Sequence, residues 1–190
     1  MKLGKLGTFV GMDSLAAADP AALAQRIEKW GHSAVWQPEG FGCNVLVHSA
    51  WLLANASQLI VATGIANLYA RDAMAMASAR QELAEQSGGR FLLGIGVSHA
   101  PIVAEMRGHN YGTPVTVMRD YLTAMRSHEY DSVPPKEMPP TVIAALDPKM
   151  MALAAELSDG AHPYNATPEH TAEARKILAP ANSCACALSR

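Results

Sequence analysis

The sequence predicts an α/β fold built on a parallel β-sheet, and three observations carry that prediction. Six short apolar, β-rich runs alternate with six helical patterns up to Leu178, and such alternation argues for parallel strands covered by helices. The repeat is about 30 residues, the length of one βαβ unit. A complete unit can be read between Val142 and Tyr164. There, strand Val142–Leu146 leads to Asp147, a carboxylate helix cap, and Pro148 takes the first helical position, where its missing N–H costs nothing. A helix rich in Ala, Met and Leu follows to about Leu157, then a turn at Ser158-Asp159-Gly160 and a strand from Ala161 to Tyr164. Two architectures fit this order, an open doubly wound sheet and a (β/α)8 barrel. The open dinucleotide-binding sheet calls for G-x-G-x-x-G after strand one, and Gly11-Met12-Asp13-Ser14 does not match. The barrel is favoured: a TIM-barrel type, incomplete, with about six β/α units where a full barrel has eight.

Each element has its own signal. Leu6–Val10 reads as strand one. Asp19-Pro20 repeats the cap-and-proline pair, Leu23, Ile27 and Trp30 recur at helical spacing, and Gly31 stands where a helix-ending glycine belongs. Ser33–Gln37 is strand two, Val45–Ala56 a helix and Gln58–Ile65 strand three. Asp72 caps a helix over Ala73–Gln86, Gly88-Gly89 stops it, and Arg90–Val97 is strand four. A long loop, His99–Thr113, precedes a helix from Pro114 that carries Val117, Met118, Tyr121, Leu122 and Met125. A polar, proline-rich stretch, Ser127–Pro140, leads to strand five, and Thr167-Pro168 opens the last helix. From Ala179 the chain reads APANSCACALSR, with neither strand alternation nor helical period. The expected organisation is one domain over residues 1–178 with its last two units absent, followed by a disordered non-family tail over 179–190.

Composition narrows the classes. An apolar share of 49% supports a sizeable core, and a net charge of −2 gives no basic field for nucleic acid or an acidic membrane surface. No apolar run approaches the ~20 residues of a membrane span. The first residues, MKLGKLGTFV, start as a strand without a signal-peptide core, and three cysteines make no disulfide framework. The expected compartment is the cytoplasm. The seven histidines fall on dissimilar elements, and Cys184-x-Cys186 has no second pair, so no metal site is expected. The absence of Gly-x-Ser-x-Gly argues against an α/β-hydrolase.

In either architecture, reactive groups belong at the C-terminal ends of the strands. Glu39 ends strand two, where a carboxylate accepts a hydrogen bond or a proton; a solvated loop glutamate is an equal reading. Thr63-Gly64-Ile65 allows unusual backbone geometry. Gly94 and Gly96 form a weak G-x-G. Ser98 and His99 are polar groups directly past a buried strand, and a histidine can move protons near neutral pH, although a structural loop histidine is the commoner case.

The chain resembles the luciferase-like monooxygenase family, more narrowly its deazaflavin (coenzyme F420)-dependent oxidoreductase branch. The matching pieces are Ala34–Glu39, Val61–Asn67, Arg90–His99, Ala144-Ala145-Leu146 with Pro148-Lys149-Met150, and Leu153–Glu156 with Asp159-Gly160-Ala161, in family order over nearly the whole chain. The resemblance implies a TIM barrel that binds F420, or FMN as second choice, and moves a hydride to or from a small organic substrate, or carries out monooxygenation. The alternative is a catalytically inactive remnant that binds flavin or is purely structural. By resemblance, a non-prolyl cis peptide lies at Gly64-Ile65. The same resemblance assigns cofactor contacts to Gly64, Ile65, Ala66, Gly96, Val97, Ser98, Leu146 and Asp147, and substrate or ring contacts to Glu39 and His99. The family's small residue at the phosphate-facing helix start is replaced here by Asp147, whose charge opposes a phosphate. Edge strands left by an incomplete barrel predict a homo-oligomer.

Overall fold

The computed structural model describes residues 1–178, and the tail expected over 179–190 lies outside them. The strand order is β1 (Gly7–Phe9), β2 (Ala34–Gln37), β3 (Ile60–Thr63), β5 (Phe91–Gly96), β6 (Thr141–Ile143) and β7 (Gly160–Ala161), with β4 (Ala66–Asn67) beside β5. Contacts divide the chain into two compact units, and strand β5 and helix α3 run from one into the other.

The first unit holds β1 (Gly7–Phe9), α1 (Ala18–Lys29), β2 (Ala34–Gln37), α2 (Val45–Asn55), β3 (Ile60–Thr63), the second half of α3 (Ala73–Gln86) and the first four residues of β5 (Phe91–Gly96). Its strands pair in parallel, Gly7 against Ala34, Ala34 against Ile60 and Val61 against Phe91. Ile27, Val35, Leu52, Leu59, Val61 and Phe91 are its fully buried core. Two charged side chains tie down the chain entering β3. The Glu28 carboxylate accepts the N–H groups of Ser57 (3.3 Å), Gln58 and Leu59 (2.8 Å) and the Ser57 hydroxyl (3.2 Å). Burial by itself raises the Glu28 pKa, but these donors together hold it below the ordinary carboxylate value. The Arg90 guanidinium donates to the carbonyls of Leu53 (2.9 Å), Leu59 (3.2 Å) and Ser87 (3.0 Å).

The second unit holds the turn after β4 (Ala66–Asn67), the first half of α3, the end of β5, α4 (Pro114–Ser127), β6 (Thr141–Ile143), α5 (Pro148–Leu157), β7 (Gly160–Ala161) and α6 (Pro168–Leu178). Strands β6 and β7 are parallel, Val142 against Gly160 and Ile143 against Ala161. Met76, Ile95, Met118, Ile143, Met151 and Leu153 are its fully buried core. The Arg119 guanidinium and the Glu156 carboxylate make a two-pronged ion pair between α4 and α5, with the second prong at 2.7 Å.

The α/β class, the parallel order and all six helices agree with the sequence reading. The differences have local causes. Helix α1 starts two residues earlier than its proline implies: Ala17 is the cap residue and Asp19 lies in the first turn, where its charge still suits the helix dipole. Ile27 is buried as expected, together with Ala21 and Ala24, while Trp30 leaves the apolar face for solvent, where the Arg26 guanidinium lies 5.1 Å over its ring. The expected strand six, Ala161–Tyr164, shortens to Gly160–Ala161. Strand three stops at Thr63, and a separate two-residue strand, β4, follows the Gly64-Ile65 bend. The loop after β5 contains an unforeseen wide turn at Ile102–Met106, in which the Arg107 N–H reaches the Ile102 carbonyl.

Candidate functional site

The first unit presents the ends of β2 and β3. The Glu39 N–H donates to the Ile65 carbonyl (3.1 Å), and the Gly64 N–H donates to the Gln37 carbonyl (2.8 Å). Glu39 and Ile65, both expected at the site, are thus joined through backbone. The Gly64–Ile65 peptide bond is cis, as the resemblance implied. Thr63 is fully buried: its hydroxyl donates to the Gly94 carbonyl (2.7 Å) and accepts the Gly94 N–H (2.8 Å), which fixes β3 against β5. This pair gives Gly94 a structural role. Past β2 the chain folds Gly40 and Gly42 onto Asp13, so that a Cβ on Gly40 would collide with the Asp13 carboxylate. His48 lies half-buried on α2; burial lowers its pKa, and the charge of Asp13 offsets part of that.

The second unit presents the ends of β5 and β6. Gly96 is buried, while Val97 and Ser98 are half-buried. Ser98 takes a left-handed backbone conformation, φ 57°. His99 is exposed, and its carbonyl accepts the Val103 N–H (3.0 Å). The Tyr111 hydroxyl donates to the Ser98 carbonyl (3.1 Å). The Tyr69 ring lies 5.9 Å from that of Tyr111 and 6.4 Å from that of His109, within 30° and 25° of parallel. Sequence reasoning missed this aromatic group. Tyr69 lies two residues past the unforeseen strand β4, and His109 and Tyr111 sit in a long loop, so no local pattern joins them. At the start of α5, one oxygen of Asp147 accepts the N–H groups of Lys149 (2.9 Å) and Met150 (3.1 Å). The Leu146 carbonyl is bonded to His170 Nε2 (2.8 Å).

These residues suit parts of a flavin-type cofactor unequally. In the first unit Gly64, Ile65 and Ala66 are small or apolar and buried or half-buried, and their chemistry suits a flat, uncharged ring; in the second unit Gly96 and Val97 are likewise small or apolar and buried or half-buried. The start of α5 does not suit a phosphate as it stands, because Asp147 already occupies its free N–H groups with a negative charge. Among the described residues, no group of three His, Cys, Asp or Glu side chains is arranged to hold a metal ion. Nor is any described helix long and apolar enough to cross a membrane.

Residues 5–181 match the family described as luciferase-like monooxygenase, and the chain belongs to that family. It is 28% identical, over 84% of its length, to a Mycobacterium tuberculosis protein named provisionally as a coenzyme F420-dependent oxidoreductase, of which it covers 54%. It is 29% identical, over 74% of its length, to the 5,10-methylenetetrahydromethanopterin reductase of Methanolobus tindarius, of which it covers 48%. The chain therefore spans about half the length of these relatives. Among solved structures, it superimposes on an F420-dependent secondary alcohol dehydrogenase with TM-score 0.75 at 16% identity, covering 93% of this chain and 65% of that one. For the F420-dependent tetrahydromethanopterin reductase of Methanopyrus kandleri the values are 0.69, 19%, 85% and 56%. At such identities the likeness establishes the fold: the α/β fold of the TIM barrel, with fewer units than a closed barrel has.

Proposed function

We propose that the protein carrying this chain is an oxidoreductase that uses coenzyme F420 and moves a hydride between it and a small organic substrate. The observation that supports this most is the family match over residues 5–181, together with relatives whose names carry F420 or a methanopterin. FMN is the second reading. It is supported by structural neighbours such as a type II Baeyer–Villiger monooxygenase in complex with FMN, at TM-score 0.68 and 14% identity; monooxygenation belongs to that reading.

The bound cofactor would supply the hydride chemistry; the protein positions, excludes water and handles protons. In this proposal Gly64, Ile65 and Ala66 carry the ring, and Gly96, Val97 and Ser98 meet its edge. Glu39, held in place through its own N–H on Ile65, presents a carboxylate to ring or substrate, and His99 exchanges protons with solvent. Leu146 and Asp147 stand at the phosphate end, where Asp147 weakens the hold. The competing reading, an inactive remnant, draws on that same capped helix start.

Titration of the purified chain with F420 and with FMN, read by cofactor fluorescence, tests the proposal. Saturable binding with a preference for F420 is expected. Binding of neither cofactor would overturn it. Binding without any oxidation of the reduced cofactor by carbonyl compounds or dioxygen would favour the remnant.

A further inference from the structure

We infer that Tyr69, His109 and Tyr111 form the wall that receives the substrate, and that it takes a flat, conjugated carbonyl compound. The inference rests on the proposed oxidoreductase reading and adds a substrate class and its recognition residues.

Three observations in the second unit lead there. The Tyr69 hydroxyl is buried and has no hydrogen-bond partner. Buried polar atoms are normally paired, and a neutral phenol donates readily. The Tyr69 hydroxyl therefore asks for an acceptor, and a carbonyl oxygen is one. Burial first, and then Tyr111, push the Tyr69 pKa up, so the hydroxyl keeps its proton as a donor.

The second observation is the ring geometry. Tyr69 lies within 25° and 30° of parallel with His109 and Tyr111. A flat conjugated frame continues such an offset stack, whereas a puckered saturated ring does not. His109 is exposed and Tyr111 half-buried, so the group is open on the loop side.

The third observation is how firmly the wall is anchored. The Tyr69 N–H is held by the Asn67 side chain (3.0 Å), directly after β4. The Tyr111 hydroxyl is held by the carbonyl of Ser98, directly after β5. The His109 N–H is held by the Val103 carbonyl (3.0 Å). The rings are therefore fixed to strand ends, where the fold places its chemistry, and the loop they belong to is free to differ among relatives.

Chromone, which is flat, neutral and conjugated, and 1-decalone, which is saturated, serve as probes in calorimetric titrations of the chain. Chromone is expected to bind at least tenfold more tightly than 1-decalone. Tyr69→Phe keeps the ring and removes the hydroxyl, and should weaken chromone binding about fivefold, the scale of one hydrogen bond. His109→Ala should weaken chromone binding too, and should leave 1-decalone unchanged. FMN and F420 affinities should be the same in all three proteins. If Tyr69→Phe lowers the melting temperature, His109→Ala, at an exposed position, decides. Equal chromone affinity in wild type and both variants, or no chromone binding to wild type, overturns the inference. Loss of cofactor binding in the wild type counts instead against the oxidoreductase reading.

Discussion

Asp147 can be tested as a built-in opponent of cofactor binding. One of its carboxylate oxygens accepts the N–H groups of Lys149 and Met150 at 2.9 and 3.1 Å. Those groups belong to the first turn of α5, where a helix has N–H groups to spare and a favourable dipole for a phosphate. A phosphate arriving there must displace the carboxylate and face its charge. Asp147→Gly removes both obstacles. The charge effect at a helix terminus is ~0.3–1 kcal/mol, and the two freed donors add to it, so F420 and FMN should each bind about five- to tenfold more tightly, or ~1–1.4 kcal/mol. Glycine is itself an acceptable cap, so the fold should lose only a few tenths of a kcal/mol. Asp147→Asn separates the two effects: it keeps the cap and removes the charge, and should give the smaller gain. The assay is a fluorescence titration at low salt, repeated at about 0.5 M salt, where screening shrinks the difference between the wild type and the Asp147→Asn variant. Identical affinities for all three proteins would refute the reasoning and place the phosphate away from α5.

Other expectations follow from the same geometry. Glu28→Gln replaces an acceptor of four hydrogen bonds with a group that accepts fewer and weaker ones, and should cost ~1–3 kcal/mol in denaturant melts; a loss below about 0.5 kcal/mol, the bottom of the range for one net hydrogen bond, would show that the loop holds itself. Because the Glu28 pKa is lowered on folding, its contribution is present above the unfolded carboxylate pKa and fades as pH falls through the folded value. A wild-type minus Glu28→Gln stability difference that stays flat down to about pH 3, below the ordinary carboxylate range, would contradict this. His48 has a lowered pKa, chiefly through burial, so the unfolded chain binds the extra proton below about pH 6.5 and stability should fall there. His48→Gln should flatten that limb of the pH–stability curve. Strands β1 and β7 end the sheet order, and Leu6, Phe41 and Val47 are exposed apolar side chains. The isolated chain should therefore associate, and a monomer in sedimentation at micromolar concentration that melts above ~60 °C would contradict that.

What the sequence disclosed and what it hid follow one physical division. Elements set by local chemistry were legible. Asp147-Pro148 opens α5 where a carboxylate and a proline should, Asp72 caps α3 through the Ala75 N–H at 2.8 Å, and Gly31 ends α1 with φ 81°. Each depends on residues within one turn, so a string of letters contains the whole cause. The strand ends were legible as a list, because a parallel α/β fold puts chemistry there whatever the sequence. What the list lacked was partnership. That Glu39 is joined to Ile65, and that Thr63 spends its hydroxyl on Gly94, depends on strands distant in the chain meeting in one register. Asp19 shows the same limit from the other side: its proline neighbour is a sound local signal, but the helix still began earlier, at Ala18. Tyr69, His109 and Tyr111 lay furthest from view. Aromatic residues in a turn and a long loop look like surface until the fold stacks them and leaves a phenol hydroxyl buried without a partner. A donor paired within the protein has nothing left to offer a ligand, and the Tyr69 hydroxyl has no such pairing. The same property that suits Tyr69 to a substrate therefore removes the local pairing signal by which a sequence would have announced it.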